Sequence, residues 1–521
     1  MTSRVLGLVR EQVMAYLFGA GNAVDAFNVA FRIPNLVRDL FAEGAMSAAF
    51  VPTFTRYLTR EGRDSAWRLG SHVLNALLLV TLALVAAGVV FAEPLVWLLA
   101  GDYAAVPGKL ELTVTLTRVM LPFLTLVALA AACMGMLNSL DRYFVPALAP
   151  ALFNVASIAV TVIAVPTLVW LGQPTIYAMA YGVIAGGMAQ LLLQWPALRR
   201  EGFRHQLVLD PSEPGLRQIL LLMGPGTLGL AATQVNVFVN TWLATGEGTG
   251  AVSWLGYAFR LMYLPLGIFG VSIATASLPG IARRAANKDL DGLRDNVSSG
   301  LAMMLTLNVP ATIGLIVLAH PIVALLFERG QFTAADTAAT AGALMAYAVG
   351  LTGYSVVKIA SPTFYALGQS RTPVLVSVLS VLTNAALNLW LVQLYGYRGL
   401  ALGTSITALL NAGLLLVLLR RRLGGLGMPH LASVLARVAA AGVVMGSVAW
   451  ALDRQLAGWL PGTALAIQIV RVGATITVAL GVLALALHVL RVREFTDVVA
   501  AVAARLRRGR RRGSAGSPPS G

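Results

Sequence analysis

Residues 71–100 read SHVLNALLLVTLALVAAGVVFAEPLVWLLA, with Glu93 as their one formal charge. A helix needs about 20 consecutive apolar residues to cross a bilayer, and this stretch has more. The pattern repeats along the chain. Apolar runs bounded by polar or Gly/Pro clusters fall at 1–20, 27–55, 71–100, 111–137, 144–171, 175–196, 215–243, 251–281, 297–325, 337–366, 372–395, 398–420, 432–452 and 464–490. They predict about fourteen helices. The second is long for a span and contains Pro34 and Gly44, so it is expected to bend. The predicted fold class is an all-α polytopic membrane protein.

Composition agrees with that reading. Of 521 residues, 58% are hydrophobic and 12% charged, and the mean hydropathy is +0.78. Ordinary soluble domains carry about 25% charged residues. Half that share cannot coat a water-facing surface, which excludes a soluble enzyme and a disordered or fibrous chain. The lone cysteine, Cys133, rules out an intramolecular disulfide. The five histidines are scattered singly, with no HExxH or paired spacing, which argues against a metal-dependent membrane hydrolase. No signal-peptide pattern precedes the first run, so no cleavable leader is expected.

The net charge of +16 finds its explanation in topology. With a cytoplasmic N-terminus, the inside loops and tail hold 25 basic residues, whereas the outside loops hold only Lys109, Arg329, Arg398 and Arg454. That is the positive-inside asymmetry, and it places both termini in the cytoplasm. The tail, RLRRGRRRGSAGSPPSG from about 505, reads as a disordered end touching anionic headgroups. Nucleic acid is not needed to explain the charge.

An internal echo suggests two halves. AFRIPNLVRDLFAEGAMSAAFVP from 30 parallels AFRLMYLPLGIFGVSIATASLP from 258, with Phe41 opposite Phe269 and Pro52/Arg56 opposite Pro279/Arg283. The matched helices are six spans apart, so both copies have one orientation, as in parallel-repeat transporters. The expected organisation is an N-terminal lobe over 1–205, a second lobe over 206–425, two extra helices over 426–490 and a basic tail over 491–521.

Nine basic residues fall inside the runs: Arg4, Arg10, Arg32, Arg38, Arg118, Arg260, Lys358, Arg437 and Arg471. An arginine at mid-bilayer costs about 2.5–3.5 kcal/mol on insertion scales, so it normally faces a cavity or a partner. Arg118, Arg437 and Arg471 lie toward helix ends and are expected to snorkel to the interface; Lys358 is ambiguous. Arg4, Arg10, Arg32 and Arg38 sit with Glu11, Asp25, Asp39 and Glu43 in about forty residues. Arg4 and Glu11 share a helix face, as do Arg32 and Asp39 if Pro34 leaves the register unrotated. One reading is that these groups pair and hold two helices together. The other is that helices 1, 2 and 8 line a hydrated cavity whose arginines bind an anion. Guanidinium suits it, because its planar fork grips phosphate oxygens and stays charged at depth. Arg260 has no acid within its own span, and the excess of arginine over acid fits a diphosphate better than a single carboxylate.

SRVLGLVRE at 3–11, FGAGNAVDAF at 18–27, FRIPNLVRDLFAEGAMSAAFVP at 31–52 and VSWLGYAFRLMYLPLGIFGVSIATASLP at 252–279 resemble the MurJ (MviN) family of lipid II flippases. That family lies within the multidrug, oligosaccharidyl-lipid and polysaccharide exporter group. The resemblance implies a two-lobed transporter that moves the undecaprenyl-diphosphate-linked peptidoglycan precursor, lipid II, from the inner to the outer leaflet by alternating access. It implies a bacterial cytoplasmic membrane and, as partners, the precursor and other cell-wall synthesis proteins. The family's cavity arginines fall on Arg4, Arg10, Arg38 and Arg260, with Ser3, Asp25, Asn35 and Ser253 in matching polar positions and Glu11 at a family acid. The chain starts almost at SRVLG, where relatives carry further residues; a misassigned start or a short first helix is the expectation.

The positions of a cation site in some relatives are Asn240, Asn384, Asn388 and Thr404 here, with no carboxylate. Hard cations prefer charged oxygen ligands, so interhelical hydrogen bonding by the asparagines is the competing reading, and no cofactor beyond a candidate monovalent cation is expected. A flippase for polysaccharide repeats or a drug/cation antiporter of the same superfamily is the alternative function. An antiporter would need cavity carboxylates, and a polyprenyl-diphosphate enzyme would need an Asp–metal or His-based constellation that is missing.

Overall fold

The computed structural model describes residues 2–39 and 49–496, with backbone only for Thr2 and 224–233. Phe41, Glu43, Gly44 and the basic run of the tail lie outside the described residues. Among those described, the regular elements are all helical. They are α1 (Thr2–Phe18), α2 (Asn22–Arg38), α3 (Val51–Arg60), α4 (Arg63–Val90), α5 (Ala92–Ala100), α6 (Lys109–Met120), α7 (Phe123–Ser139), α8 (Phe144–Trp170), α9 (Tyr177–Arg200) and α10 (Pro214–Thr245). They continue with α11 (Ala251–Pro265), α12 (Val271–Ala286), α13 (Leu290–Val317), α14 (Ala319–Phe327), α15 (Ala334–Ala348), α16 (Leu351–Ala366), α17 (Arg371–Tyr395), α18 (Tyr397–Arg422), α19 (Met428–Trp459) and α20 (Leu465–Val489). A π-helical turn, Leu266–Gly270, joins α11 to α12.

Helix occupies each of the fourteen predicted stretches, but the count of fourteen spans is not confirmed. Nine described stretches are long and apolar enough to cross a membrane, and ten if α15 and α16, bent by 40° at a short break, form one span. The shortfall begins at the N-terminus, where α1 and α2 have 17 residues each and carry the charges that make them interesting. The long second stretch is described as two helices, α2 and α3.

Packing divides the chain into two compact units, one of Met1–Tyr257 with Phe327–Asp336, the other of Ala258–Leu326 with the chain from Thr337 onward. The division falls inside α11. In the first unit, an aromatic run links Phe50, Phe54, Trp67 and Phe203 at centroid spacings of 5.4, 5.8 and 5.3 Å. The connector after α9 is strapped along α4: Asn75 Nδ2 donates to the carbonyls of Gln206 and Val208 at 2.8 and 2.7 Å, and His72 Nδ1 accepts from Asp210 N at 3.2 Å. α10 then starts on a Glu213 cap that accepts from Leu216 N, with Pro214 in the first turn.

α8 and α9 pack through glycines. A Cβ on Gly186 would lie 2.5 Å from the Phe153 ring and 2.9 Å from its carbonyl, and one on Gly182 would lie 2.6 Å from Thr161 Oγ1. Close backbone approach of this kind drives helix association in lipid, where apolar burial gives no advantage. Gly186→Leu is therefore expected to cost about 1–3 kcal/mol by overpacking, read as a lower thermal-unfolding midpoint in detergent. Gly413→Ala, with open space around its Cβ, should leave the midpoint unchanged; equal behaviour of the two would refute the close-packing account.

The second unit gathers its core from α12, α13, α16, α18 and α19, with Leu293, Val297, Ile359, Phe364, Leu415 and Val438 buried. α19 and α20 are held together at both ends by arginines. Arg471 pairs with Asp453 on the facing helix at 3.3 Å. Arg437 points its guanidinium at the Leu490 and Arg491 carbonyls, both at 3.5 Å, where the negative end of the α20 dipole favours a cation. Arg118 does lie exposed, with Nε 3.3 Å from the Val89 carbonyl.

Candidate functional site

The charged residues of α1 and α2 separate into two groups. The first holds arginines, each beside an acid. Arg10 Nη2 pairs with its neighbour Glu11 at 2.9 Å, and its guanidinium lies over the Phe153 ring at 5.5 Å. Arg38 pairs with its neighbour Asp39 at 2.6 Å, and Gln234 Nε2 donates to the other Asp39 oxygen at 3.5 Å. Each of these acids thus pairs with the arginine next to it in sequence.

Hydrogen bonding there is incomplete. Arg10 Nε and Asn35 Oδ1 are both buried and lack a hydrogen-bond partner among the described residues. A buried polar atom without a partner costs about 1–3 kcal/mol; an oxyanion or a water would satisfy the Arg10 Nε donor, whereas the Asn35 Oδ1 acceptor needs a donor such as water. Arg4 is exposed on α1. Ser3, half-buried, accepts through its carbonyl from Asn154 Nδ2 at 3.3 Å.

The second group is sealed. Asp25 is 0% exposed and Lys109 3%, and they pair at 3.1 Å. Asp25 also accepts from Gly250 N at 2.7 Å, Ser253 N at 3.1 Å and Ser253 Oγ at 2.7 Å. It therefore caps the first turn of α11 from α2, a carboxylate on the positive end of a helix dipole. Lys109 Nζ stands 3.9 Å over the Tyr103 ring, a cation–π contact. Burial first, then the Asp25 charge, push the Tyr103 phenol up from its ordinary value, so it keeps its proton. Trp254 Nε1 donates to Asp336 at 2.8 Å and Tyr257 OH to the Gly19 carbonyl at 3.1 Å, fixing the first two turns of α11 in this unit.

Asp25 and Ser253, expected among residues facing an anion, are thus engaged with each other and with backbone. Lys109, counted among outside-loop charges, is buried as their counter-ion. Neither pairing was visible in the sequence, because 84 residues separate Asp25 from Lys109 and 228 separate it from Ser253.

Arg260 is half-buried in the second unit, one turn into it along α11. Among the candidate cation ligands, Asn384 and Asn388 on α17 bond to one another at 3.0 Å, and Asn384 Nδ2 reaches Thr407 Oγ1 on α18 at 3.5 Å. Thr404 Oγ1 donates to the Leu400 carbonyl at 2.8 Å. Asn240 belongs to the first unit, on α10.

Comparison with solved structures defines the fold. The chain superposes on an inward-facing multidrug-resistance MATE family transporter with a TM-score of 0.68 at 17% identity, covering 81% of this chain and 94% of that one, so the two share a multi-helix fold. It also superposes on "Lipid II flippase MurJ, inward closed conformation" with a TM-score of 0.76 at 26% identity, over 94% and 97% of the two chains.

In sequence, residues 14–470 match the family model for lipid II flippase MurJ. The probable lipid II flippase MurJ of Vibrio cholerae is 37% identical over 475 residues, 88% of each chain. The lipid II flippase MurJ of Burkholderia cenocepacia is 36% identical over 426 residues, 81% of this chain and 82% of that one. The chain belongs to the lipid II flippase MurJ family.

Proposed function

We propose that this chain moves lipid II from the inner to the outer leaflet of a bacterial cytoplasmic membrane by alternating access, as a transporter and not an enzyme. The observation that carries the reading is a pair of arginines on the helices α1 and α2, Arg10 and Arg38, the first with a buried Nε that lacks a hydrogen-bond partner among the described residues. Arg4, Arg10, Arg38 and Arg260 would hold the diphosphate, with Ser3, Glu11 and Asn35 shaping the approach, and the polyprenyl tail would stay in lipid. Neutralising the arginines with an anion lowers the cost of excluding water as the lobes close. A membrane potential, negative inside, then favours outward movement of each negative charge by about 2.3 kcal/mol per 100 mV.

In this reading both termini are cytoplasmic, the halves near 1–205 and 206–425 act as the two lobes, and the basic loops rest on anionic lipid. Other cell-wall synthesis proteins would meet the cytoplasmic face. Asp25, Ser253 and Lys109 hold α2 to the first turn of α11 within the first unit. Complementation of a strain depleted of its lipid II flippase, scored for growth together with precursor accumulation, tests the assignment; failure of the full chain to relieve accumulation overturns it.

The asparagines of α17 are better occupied by one another and by α18 than by a bare cation, since no carboxylate joins them. Transport into vesicles is accordingly expected to run equally in sodium and in potassium buffers. A rate that falls about tenfold, or 1.4 kcal/mol, when sodium is removed would restore the cation site.

A further inference from the structure

α16 carries a feature that the cluster on α1 and α2 leaves unused. One side of this helix is buried in the second unit through Leu351, Ser355, Val356, Ile359 and Phe364. Its outward side, at helical spacing, is Tyr354, Lys358, Ser361 and Tyr365, with Lys358 and Tyr365 exposed and the other two partly so. Helices of the same unit that read as lipid-facing look different: α17 exposes Leu375, Leu382 and Trp390, and α20 exposes Leu485 and Val489, each at 60% or more.

Lys358 lies eight residues before the end of α16 at Ala366, roughly 12 Å along the axis, farther than its stem can snorkel. No hydrogen bond or ion pair holds it among the described residues. Left in lipid it would cost about 2.5–3.5 kcal/mol. The neighbouring ribbon is polar as well. α12, packed against α16, exposes Ser272 and Thr275.

We propose that Lys358, flanked by Tyr354 and Ser361, is a second substrate contact: it receives an oxyanion of the transported headgroup in the cytoplasmic half of the span. This rests on the flippase reading above. A lysine there, instead of another arginine, is a hydrated point charge with three rotatable donors, fit for an oxygen that arrives and leaves in water. The oxyanion comes from the diphosphate or from a carboxylate of the attached peptide, and the test separates them.

The purified full chain in lipid nanodiscs is titrated with lipid II and, separately, with undecaprenyl diphosphate, for wild type, Lys358→Gln, Lys358→Arg and Arg260→Gln, each checked for an unchanged melting midpoint. Lys358→Gln is expected to weaken binding about tenfold, and Lys358→Arg to restore most of it. Loss with both lipids assigns the diphosphate; loss with lipid II alone assigns a peptide carboxylate. If Lys358→Gln binds both lipids within about twofold of wild type while Arg260→Gln loses affinity, the contact is refuted and the flippase reading stands. A higher melting midpoint for Lys358→Leu with unaltered binding refutes it equally, placing the side chain against lipid. Wild type that binds neither lipid overturns the flippase reading and this proposal with it.

Discussion

Asp25→Ala is expected to produce the largest loss of stability of any single substitution in the first unit. The side chain is fully buried and makes four polar contacts, to Lys109, Gly250 N and both Ser253 donors. Removing one partner of a buried ion pair costs about 3–5 kcal/mol, because the survivor keeps its charge without solvent. Loss of the cap on α11 adds about 1 kcal/mol. The measurement is thermal unfolding of the purified protein, with growth complementation alongside. Lys109→Met should be nearly as damaging. The pair Asp25→Leu with Lys109→Met should recover much of the midpoint, since apolar replacement of both partners is often neutral, yet leave α11 without its cap. An Asp25→Ala midpoint within a degree of wild type would show that the buried pair does not hold α2 to α11.

Loss of function without loss of fold is the expected result for Arg10→Ala, Arg38→Ala and Arg260→Ala. A hydrogen bond to a charged group contributes about 1.5–3 kcal/mol, which is roughly 10- to 150-fold in affinity per arginine. Each variant should reach the membrane at wild-type level and fail to support growth of a flippase-depleted strain. Lysine at these positions keeps the charge but not the planar fork, so partial rescue is expected. Glu11→Gln is the control for the Arg10–Glu11 pair: if Arg10 mattered only as the partner of Glu11, it would match Arg10→Ala. Growth support by all three alanine variants would refute the anion-binding assignment.

Much of the fold was legible because lipid imposes a strict rule. A segment that crosses a bilayer must satisfy its own backbone hydrogen bonds, so it is helical and long enough to recognise. Among the described residues every predicted stretch holds helix for that reason, while α1 and α2, where charge interrupts the run, are too short to count among the nine candidate spans. Arginines such as Arg10 and Arg38 were equally legible, since a guanidinium in an apolar segment is costly wherever it points. Their partners were not. Arg10 takes Glu11 and Arg38 takes Asp39, choices set by rotamers and by what Phe153 and Gln234 leave open.

The chain's own order of residues thus determined helicity, the membrane as solvent and which cations need a reason to exist. Tertiary structure alone decided that Asp25, Lys109 and Ser253 form one sealed contact, that Arg471 is answered by Asp453, and that Lys358 faces outward beside tyrosine and serine. The physical cause is range. Helix propensity and hydropathy act over neighbouring residues, whereas the environment that settles a charge's fate is assembled from segments far apart in the chain.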